Sequence, residues 1–262
     1  MKRATGTREW SEHSANWQVG CSHGCLYCYA RANALRFKRL GDPAAWIAEM
    51  PNNRLMDQAY RMKRKGVIMC PTTHDITPHN LELSVDILHT MAQNGNHLLI
   101  VSKPHSECIE ALTNDLAPFR DRVEFRFSIG CKTDGIAEFW EPCAPSIQER
   151  LDCIPIAISR GFRVSISCEP LLEPWHVQAI VNLVRFMTLG NVWIGCLKHL
   201  RERTAWALNG RFGEEPVMAL ERWQKPEMMQ KVCDALKGIP GIRFKDSYQR
   251  VLGIDSYGRK EK

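Results

Sequence analysis

The chain of 262 residues, with 44% hydrophobic and 24% charged residues, has the composition of an ordinary soluble globular protein and is long enough for one large domain. Its formal net charge of +6, with basic stretches at 36–40 and 61–65, is compatible with a polyanionic partner and equally with a solvated basic surface. The N-terminus lacks the apolar run of a secretory signal, and no window is apolar enough to span a membrane, so we expect a cytoplasmic protein, in a bacterial host if the gene is carried by a phage.

Short β-rich runs alternate with longer helical patterns along the chain. The predicted strands are 16–20, 66–70, 97–102, 122–130, 162–168 and 191–195, and the helical patterns between them include 81–93, 106–112, 146–160 and 175–187. This alternation predicts an α/β fold of parallel strands with right-handed crossovers, either an open doubly wound sheet or a partial barrel. The strands are read as apolar along their length, as when both faces are covered. We expect a single domain, with a core over about 14–200 and a C-terminal extension over about 201–262.

Three of the eleven cysteines form a close group: Cys21, Cys25 and Cys28, in the stretch VGCSHGCLYCYA that follows the first predicted strand. The other eight are scattered, as expected for small apolar side chains in a reducing compartment. In parallel α/β folds, the loops at the carboxyl ends of the strands carry the chemistry. The three-cysteine loop is therefore the candidate site.

Three interpretations of this loop compete. A structural zinc site would need a fourth ligand, which His23 could supply, although zinc ligands more often come as two separated pairs. A redox pair of Cys25 and Cys28 would leave Cys21 unexplained. An iron–sulfur cluster would use all three thiolates, each on a different iron, and would leave the fourth iron of a [4Fe–4S] cluster without a protein ligand.

The motif CSHGCLYC resembles the signature of the radical S-adenosylmethionine (SAM) superfamily, with cysteines spaced by three and then two residues and an aromatic residue, Tyr27, before the last. The strand–helix pattern is similar to the partial (β/α)6 TIM-type barrel of that superfamily, over most of the chain. The segment EPCAPSIQERLDCIPIAISRGFRVSISCEPLLEP (141–174) resembles the spore photoproduct lyase-like branch and related phage-encoded proteins, as do NVWIG (191–195) and IRFKDS (242–247).

The resemblance implies one [4Fe–4S] cluster on the three cysteines, with SAM chelating the fourth iron and yielding a 5′-deoxyadenosyl radical that abstracts hydrogen from the substrate. It also implies a set of SAM contacts: Tyr27 on the adenine, Thr72 and Thr73 (with Asp75) in place of the usual glycine-rich stretch, Ser102 and Lys103 at the carboxylate, Ser128 at the ribose or methionine, and Glu169 at the ribose hydroxyls or the substrate. Each also has an ordinary structural explanation, such as capping a turn, filling the core or facing solvent. For Arg150, the alternative to a SAM contact is an ion pair with Glu141 or Glu169.

Cys70 is the predicted catalytic residue. It ends the second predicted strand, where photoproduct lyases carry a cysteine that returns a hydrogen atom to the product radical. Cys131 is an alternative donor, and an inert buried thiol is the ordinary explanation for either.

The implied substrate is DNA or a modified nucleobase, and the implied electron donor is a flavodoxin or ferredoxin. We expect an isomerase that rearranges a modified thymine in phage-type DNA hypermodification. The alternatives are a lyase that repairs a thymine photoproduct, a radical SAM enzyme acting on a free nucleotide or peptide, and a zinc protein that binds nucleic acid without catalysis.

Overall fold

The computed structural model of the chain describes residues 5–188, 190–208 and 214–259. Seven parallel strands form one sheet in the order β1-β4-β5-β6-β7-β8-β9, and β2 and β3 form a separate antiparallel pair. The strands are β1 (His13–Ser14), β2 (Gln18–Val19), β3 (Met50–Pro51), β4 (Val67–Cys70), β5 (His97–Ser102), β6 (Val123–Ser128), β7 (Arg163–Cys168), β8 (Val192–Ile194) and β9 (Ile242–Phe244). The sheet does not close, because β1 and β9 are its two edges.

Helices connect and cover the strands. They are α1 (Tyr29–Arg36), α2 (Asn53–Tyr60), α3 (Leu81–Gln93), α4 (Ser106–Asp115), α5 (Asp134–Trp140), α6 (Ile147–Ser159), α7 (Val177–Arg185), α8 (Leu200–Leu208), α9 (Glu215–Trp223), α10 (Pro226–Ala235) and α11 (Asp246–Leu252). Side-chain caps fix where some begin: the Ser146 hydroxyl accepts from Glu149 N (3.1 Å) at α6, and the side-chain Oδ1 of Asn52 accepts from Leu55 N (3.1 Å) at α2. Within the described ranges, no helix is both long and apolar enough to cross a bilayer.

The two faces of the sheet differ in polarity. In β6, Phe125 and Phe127 are fully buried in the hydrophobic core, whereas Glu124, Arg126 and Ser128 alternate with them on the other face. Arg126 Nη2 lies 3.0 Å from Glu124 Oε1, so charges on that face are paired. The expectation that the strands are apolar along their length is therefore wrong for β6, and β7 alternates in the same way, with polar residues at positions 163, 165 and 167.

The α/β fold is confirmed, with differences at both ends of the predicted core. The strand predicted at 16–20 is wrong for the main sheet: within it only β2 forms, and β2 pairs with β3. The strand that pairs with β4 is β1, which lies upstream, and the chain turns away after Ala15 N donates to the Met69 carbonyl at 3.0 Å. β9, within the predicted C-terminal extension, pairs with β8 as the seventh strand. Residues 260–262, at the end of the basic tail, lie outside the described residues.

Candidate active site

A cavity of about 570 Å³ lies at the carboxyl ends of the strands, where α/β folds carry their sites. Its walls come from the cysteine loop, from the loops that follow β4 to β9, and from the N-terminal segment. The predicted site residues that line it are Cys21, Cys25, Tyr27, Cys28, Thr72, Thr73, Asp75, Lys103, Ser128 and Glu169.

Two predicted residues, Cys70 and Ser102, are not among those that line this cavity. Cys70 is fully buried, and its Sγ lies 3.8 Å from the Ile68 carbonyl oxygen, because side chains alternate along β4 and Met69 takes the cavity-facing position. Its role as a hydrogen donor remains a prediction without support from this geometry. Cys131 is also fully buried and away from the cavity wall.

The cysteine loop is held by close backbone contacts. Cys21 N donates to the Trp46 carbonyl (2.9 Å), and the Cys28 thiol caps α1 by accepting from Arg31 N (3.5 Å). The guanidinium of Arg31 donates to the carbonyls of Gly24 and Cys25 and lies 3.5 Å from the ring centroid of Trp206 in α8. The C-terminal part of the chain thus packs directly on the loop that carries the motif.

The three thiols suit a cluster of several irons better than one ion. All are free and border the same cavity, yet the described residues include no group of three or more Cys, His, Asp or Glu side chains that could hold a single metal ion. Thiolates that bind different irons need not converge on one point. Burial raises the pKa of the Cys25 thiol to about 12, so iron binding would have to displace its proton.

The alternative zinc ligand, His23, is engaged on both sides of its ring. Its Nδ1 lies 3.1 Å from Asp75 Oδ2, and its Nε2 lies 2.9 Å from Nε2 of His105, beside which is Glu149 (3.9 Å). Neither ring nitrogen faces an open position. The zinc interpretation has no support from these contacts.

Asp75 is the buried anion at the centre of this half of the cavity. It accepts from the Ser102 hydroxyl and from Lys103 N (3.1 Å), and the Lys103 ammonium lies 3.6 Å from it. Burial alone would raise the pKa of Asp75, but the charge of His23 and of Lys103, with hydrogen bonds from His23 and Ser102, holds it well below the usual range. Ser102 thus fixes Asp75, and Asp75 fixes Lys103 at the cavity wall.

Tyr27 is held from behind by a buried ion pair. Its hydroxyl donates to Glu141, and Arg150 Nη1 lies 2.6 Å from Glu141 Oε2, with both charged side chains almost inaccessible. Burial would raise the pKa of Glu141, but Arg150 and Lys103 lower it below its ordinary value. The alternative pairing of Arg150 with Glu141 is therefore present, and it fixes the ring of Tyr27 at the cavity.

Asn16 organises the loop after β4. Its side-chain oxygen accepts from Thr72 N and Thr73 N (both 2.8 Å), and its amide donates to the Thr72 hydroxyl (2.8 Å). Tyr29, just after the last motif cysteine, donates to the Thr72 carbonyl. The two threonines are thus positioned against the cysteine loop.

The opposite end of the cavity is built around Lys245, which follows β9. Its ammonium is fully buried, 2.9 Å from Glu9 Oε2, 3.4 Å from Glu169 Oε2 and 3.7 Å from the ring centroid of Trp10. Burial raises the pKa of Glu9 to about 7 and also raises the pKa of Glu169, with Lys245 opposing both shifts.

Further polar groups of this end were not predicted. Lys198 forms an ion pair with the buried Asp246 (2.5 Å), and Arg8 and Cys196 also line the cavity. Arg203 lines it as well, but lies beside the motif, 5.7 Å from the ring centroid of Tyr29. The sequence IRFKDS contains two of the residues involved, but nothing in its spacing indicates that it lies beside the N-terminus. Only the strand order brings these segments together.

Comparisons with known proteins give a fold and one viral relative. No protein-family profile matches the sequence. Uncharacterized protein ORF301 of Acidianus two-tailed virus is 28% identical over 177 residues, which cover 64% of this chain and 58% of that protein, less than two thirds of its length.

Solved structures of spore photoproduct lyase share the fold at low identity. One mutant matches with a TM-score of 0.55 and 17% identity over 92% of this chain and 78% of its own. The lyase complexed with dinucleoside spore photoproduct matches with a TM-score of 0.56 and 17% identity over 91% of this chain and 77% of its own. A double mutant with bound AdoMet and the same dinucleoside matches with a TM-score of 0.54 and 17% identity over 86% of this chain and 73% of its own. At this identity the likeness establishes the fold: the open α/β sheet described above.

Proposed function

We propose that this chain is a radical SAM enzyme that holds one [4Fe–4S] cluster on Cys21, Cys25 and Cys28 and binds SAM in the adjoining cavity. The observation that carries the proposal is the shared cavity wall. All three thiols and seven of the eight predicted SAM residues line a single cavity at the carboxyl ends of the strands. The likeness to a structure with bound AdoMet supports the same assignment.

The chain's own residues would bind and orient SAM and the substrate. When bound, the cluster and SAM would supply a 5′-deoxyadenosyl radical that abstracts hydrogen from the substrate. Lys103, held by Asp75, offers a cation to the SAM carboxylate, and Tyr27, held by Glu141, offers an aromatic face. Glu169 offers a carboxylate to ribose hydroxyls or to the substrate.

The proposed substrate is a thymine-derived base in DNA. The cavity wall carries Arg8 and Arg203 in addition to Lys198 and Lys245, which are paired with carboxylates, and cationic side chains favour ligands with phosphates. Relatives in fold bind a dinucleoside photoproduct, and the relative in sequence is viral. A base in a duplex would have to be flipped out to reach the cavity.

Two reactions on such a base are candidates. Rearrangement of a modified thymine, as in phage-type DNA hypermodification, is the first: hydrogen can pass back from deoxyadenosine, so no protein thiol is needed, in keeping with the buried position of Cys70 away from the cavity. Repair of a photoproduct by a lyase is the second. A thiol donor would then be Cys196, the one cysteine outside the motif among the described residues that line the cavity.

The test is product analysis. Reconstituted enzyme, SAM and dithionite are incubated with DNA that carries thymines substituted on the methyl carbon through nitrogen, and separately with dinucleoside spore photoproduct, and the nucleosides are analysed by mass spectrometry. An isomeric nucleoside of unchanged mass supports the first reaction, and two restored thymines support the second. If neither substrate undergoes a SAM-dependent change, the assignment to thymine-derived bases is contradicted.

In the lyase case, Cys196→Ala is expected to stall product formation, whereas Cys70→Ala is expected to have little effect. All eleven cysteines are free, which suits the reducing cytoplasm in which we propose that the enzyme works. We propose a flavodoxin or ferredoxin as its source of electrons.

A further inference from the structure

Four large apolar side chains lie exposed beside the cysteine loop: Val19 (46% exposed), Phe37 (56%), Ile47 (55%) and Met50 (65%). Val19 and Met50 are directly opposite each other in the β2–β3 pair, and α1, which ends just before Phe37, contacts the short helical turn Pro43–Ile47. We call these four residues the loop face. Exposed apolar side chains gathered beside one loop are typical of an interaction site.

The loop face covers the outer side of the cysteine loop. The segment that carries Ile47 touches the loop through its backbone: a Cβ on Gly20 (φ +89°) would lie 1.8 Å from the Ala48 carbonyl oxygen, and one on Gly24 would lie 3.9 Å from Ile47 Cγ2. None of the four side chains lines the cavity, which adjoins the loop from its other side. A molecule bound to the loop face would therefore approach the motif cysteines without occupying the cavity.

Basic side chains border the loop face. Arg36, Lys38 and Arg39 are exposed, and the guanidinium carbons of Arg36 and Arg39 lie 5.5 and 5.3 Å from the ring centroid of Phe37. None of the three is within ion-pair distance of a carboxylate among the described residues. The segment that leads to β3 also contains two acidic residues. Glu49 is turned inward, where it accepts from Ser22, Thr77 and Asn80, and Asp42 is exposed and caps the helical turn by accepting from Ala44 N (2.9 Å).

An apolar centre with a basic border is complementary to an acidic protein. Protein interfaces combine an apolar core with a polar rim, and complementary charges on the rim steer association. Nucleic acids are bound mostly through their phosphates by basic and polar groups, and such binding does not require four exposed apolar side chains. The composition of the loop face thus favours a protein partner.

We infer that the loop face docks an acidic one-electron carrier protein that reduces the cluster. The inference rests on the proposed function. In the step, the reduced carrier loses one electron and the cluster on the other side of the loop gains it, with no bond made or broken. Electron-transfer complexes have small interfaces, and a surface of four apolar side chains with a basic border is large enough for such an interface.

The test uses the reconstituted protein with a flavodoxin as the probe. The variant Lys38→Glu/Arg39→Glu reverses two border charges. The matched control, Lys63→Glu/Lys65→Glu, makes the same change in net charge in the exposed segment that enters the amino end of β4, at the opposite end of the sheet. Flavodoxin affinity is measured by calorimetry, and deoxyadenosine release is measured with reduced flavodoxin and, separately, with dithionite, which needs no docking.

We expect the border variant to bind flavodoxin about tenfold more weakly at low salt and to lose flavodoxin-driven release in proportion. The control variant and all dithionite-driven rates should match the wild type. A second variant, Ile47→Ser/Met50→Ser, removes apolar contacts without changing charge and should weaken binding at high salt as well. Equal thermal unfolding midpoints establish that the variants are folded.

Several results would overturn the inference: unchanged flavodoxin affinity in both loop-face variants, equal weakening in the control, or loss of DNA binding in place of flavodoxin binding. Failure of the proposed function looks different, since the wild type would then release no deoxyadenosine even with dithionite, and the inference would fall with it.

Discussion

The two ends of the cavity bury charge in opposite ways. At the cysteine end the central group is an anion, Asp75, surrounded by donors and a lysine, and its pKa is held below the usual range. At the far end the central group is a cation, Lys245, shared by Glu9 and Glu169, whose pKa values are raised. The first arrangement fixes a negative charge at every ordinary pH, whereas the second contains carboxyl groups that can take up protons.

The difference predicts a division of labour. The Asp75 end positions Lys103 beside the motif cysteines, and we expect it to govern SAM cleavage. The Lys245 end is built from the N-terminal segment and β9, and we expect it to govern the substrate. Variants at the two ends should therefore separate these two activities.

Asp75→Asn should have the largest effect. It removes a buried negative charge while leaving Lys103 and His23 in place, which is expected to lower the free energy of unfolding by about 4 kcal/mol. Urea denaturation measures the loss, and SAM cleavage should fall with it. Asp57→Asn, an exposed aspartate in α2, is the matched control and should change stability by less than about 0.5 kcal/mol. Equal stability of the two variants would contradict the central role of Asp75.

Lys245→Met should have the next largest effect, about 3 kcal/mol, since it leaves the buried Glu9 and the partly buried Glu169 without their cation. The loss is smaller than for Asp75 because Glu9, with a pKa of about 7, can bind a proton in response. Folded protein should still cleave SAM with dithionite but form little product. The exposed Lys237→Met is the control, and a Lys245→Met protein that keeps full product formation would refute the division of labour.

Glu9→Gln should have the smallest effect at acidic pH, where the Glu9 carboxyl of the folded protein carries a proton, and its effect should grow as the pH rises. The folded-state pKa of about 7 exceeds the ordinary value of 4.5, so the folded protein binds this proton more tightly than the unfolded chain. The resulting stabilisation is complete below about pH 4.5 and is lost as the pH rises through 7. The unfolding midpoint of the wild type relative to Glu9→Gln should therefore fall between pH 5 and 8. A constant difference would mean that Glu9 is ionised throughout.

The same contrast explains what the sequence predicts. The motif Cys21–Cys28 is recognised because its spacing is local, and helix α3 is predicted with the bounds that it has, since its apolar periodicity and flanking turn residues are local too. Lys245 and Glu9 lie at opposite ends of the chain. Their contact depends on the pairing of β9 with β8, and no residue spacing in the sequence indicates that pairing.

Strand polarity is a second case. The alternation V-E-F-R-F-S in β6 is visible in the sequence, but a parallel sheet covered by helices is ordinarily apolar on both faces. Here one face reaches the cavity at Ser128, and Arg126 on that face pairs with Glu124 and donates to the Ser165 hydroxyl. The side of Cys70 follows from the same alternation, once Met69 is known to face the cavity.

The most direct test of the account is anaerobic reconstitution with iron and sulfide, followed by SAM and dithionite, for the wild type and Cys25→Ala side by side. We predict about four irons per chain and release of 5′-deoxyadenosine by the wild type, and neither by the variant. Stoichiometric zinc in place of iron, with SAM left intact, would contradict the account.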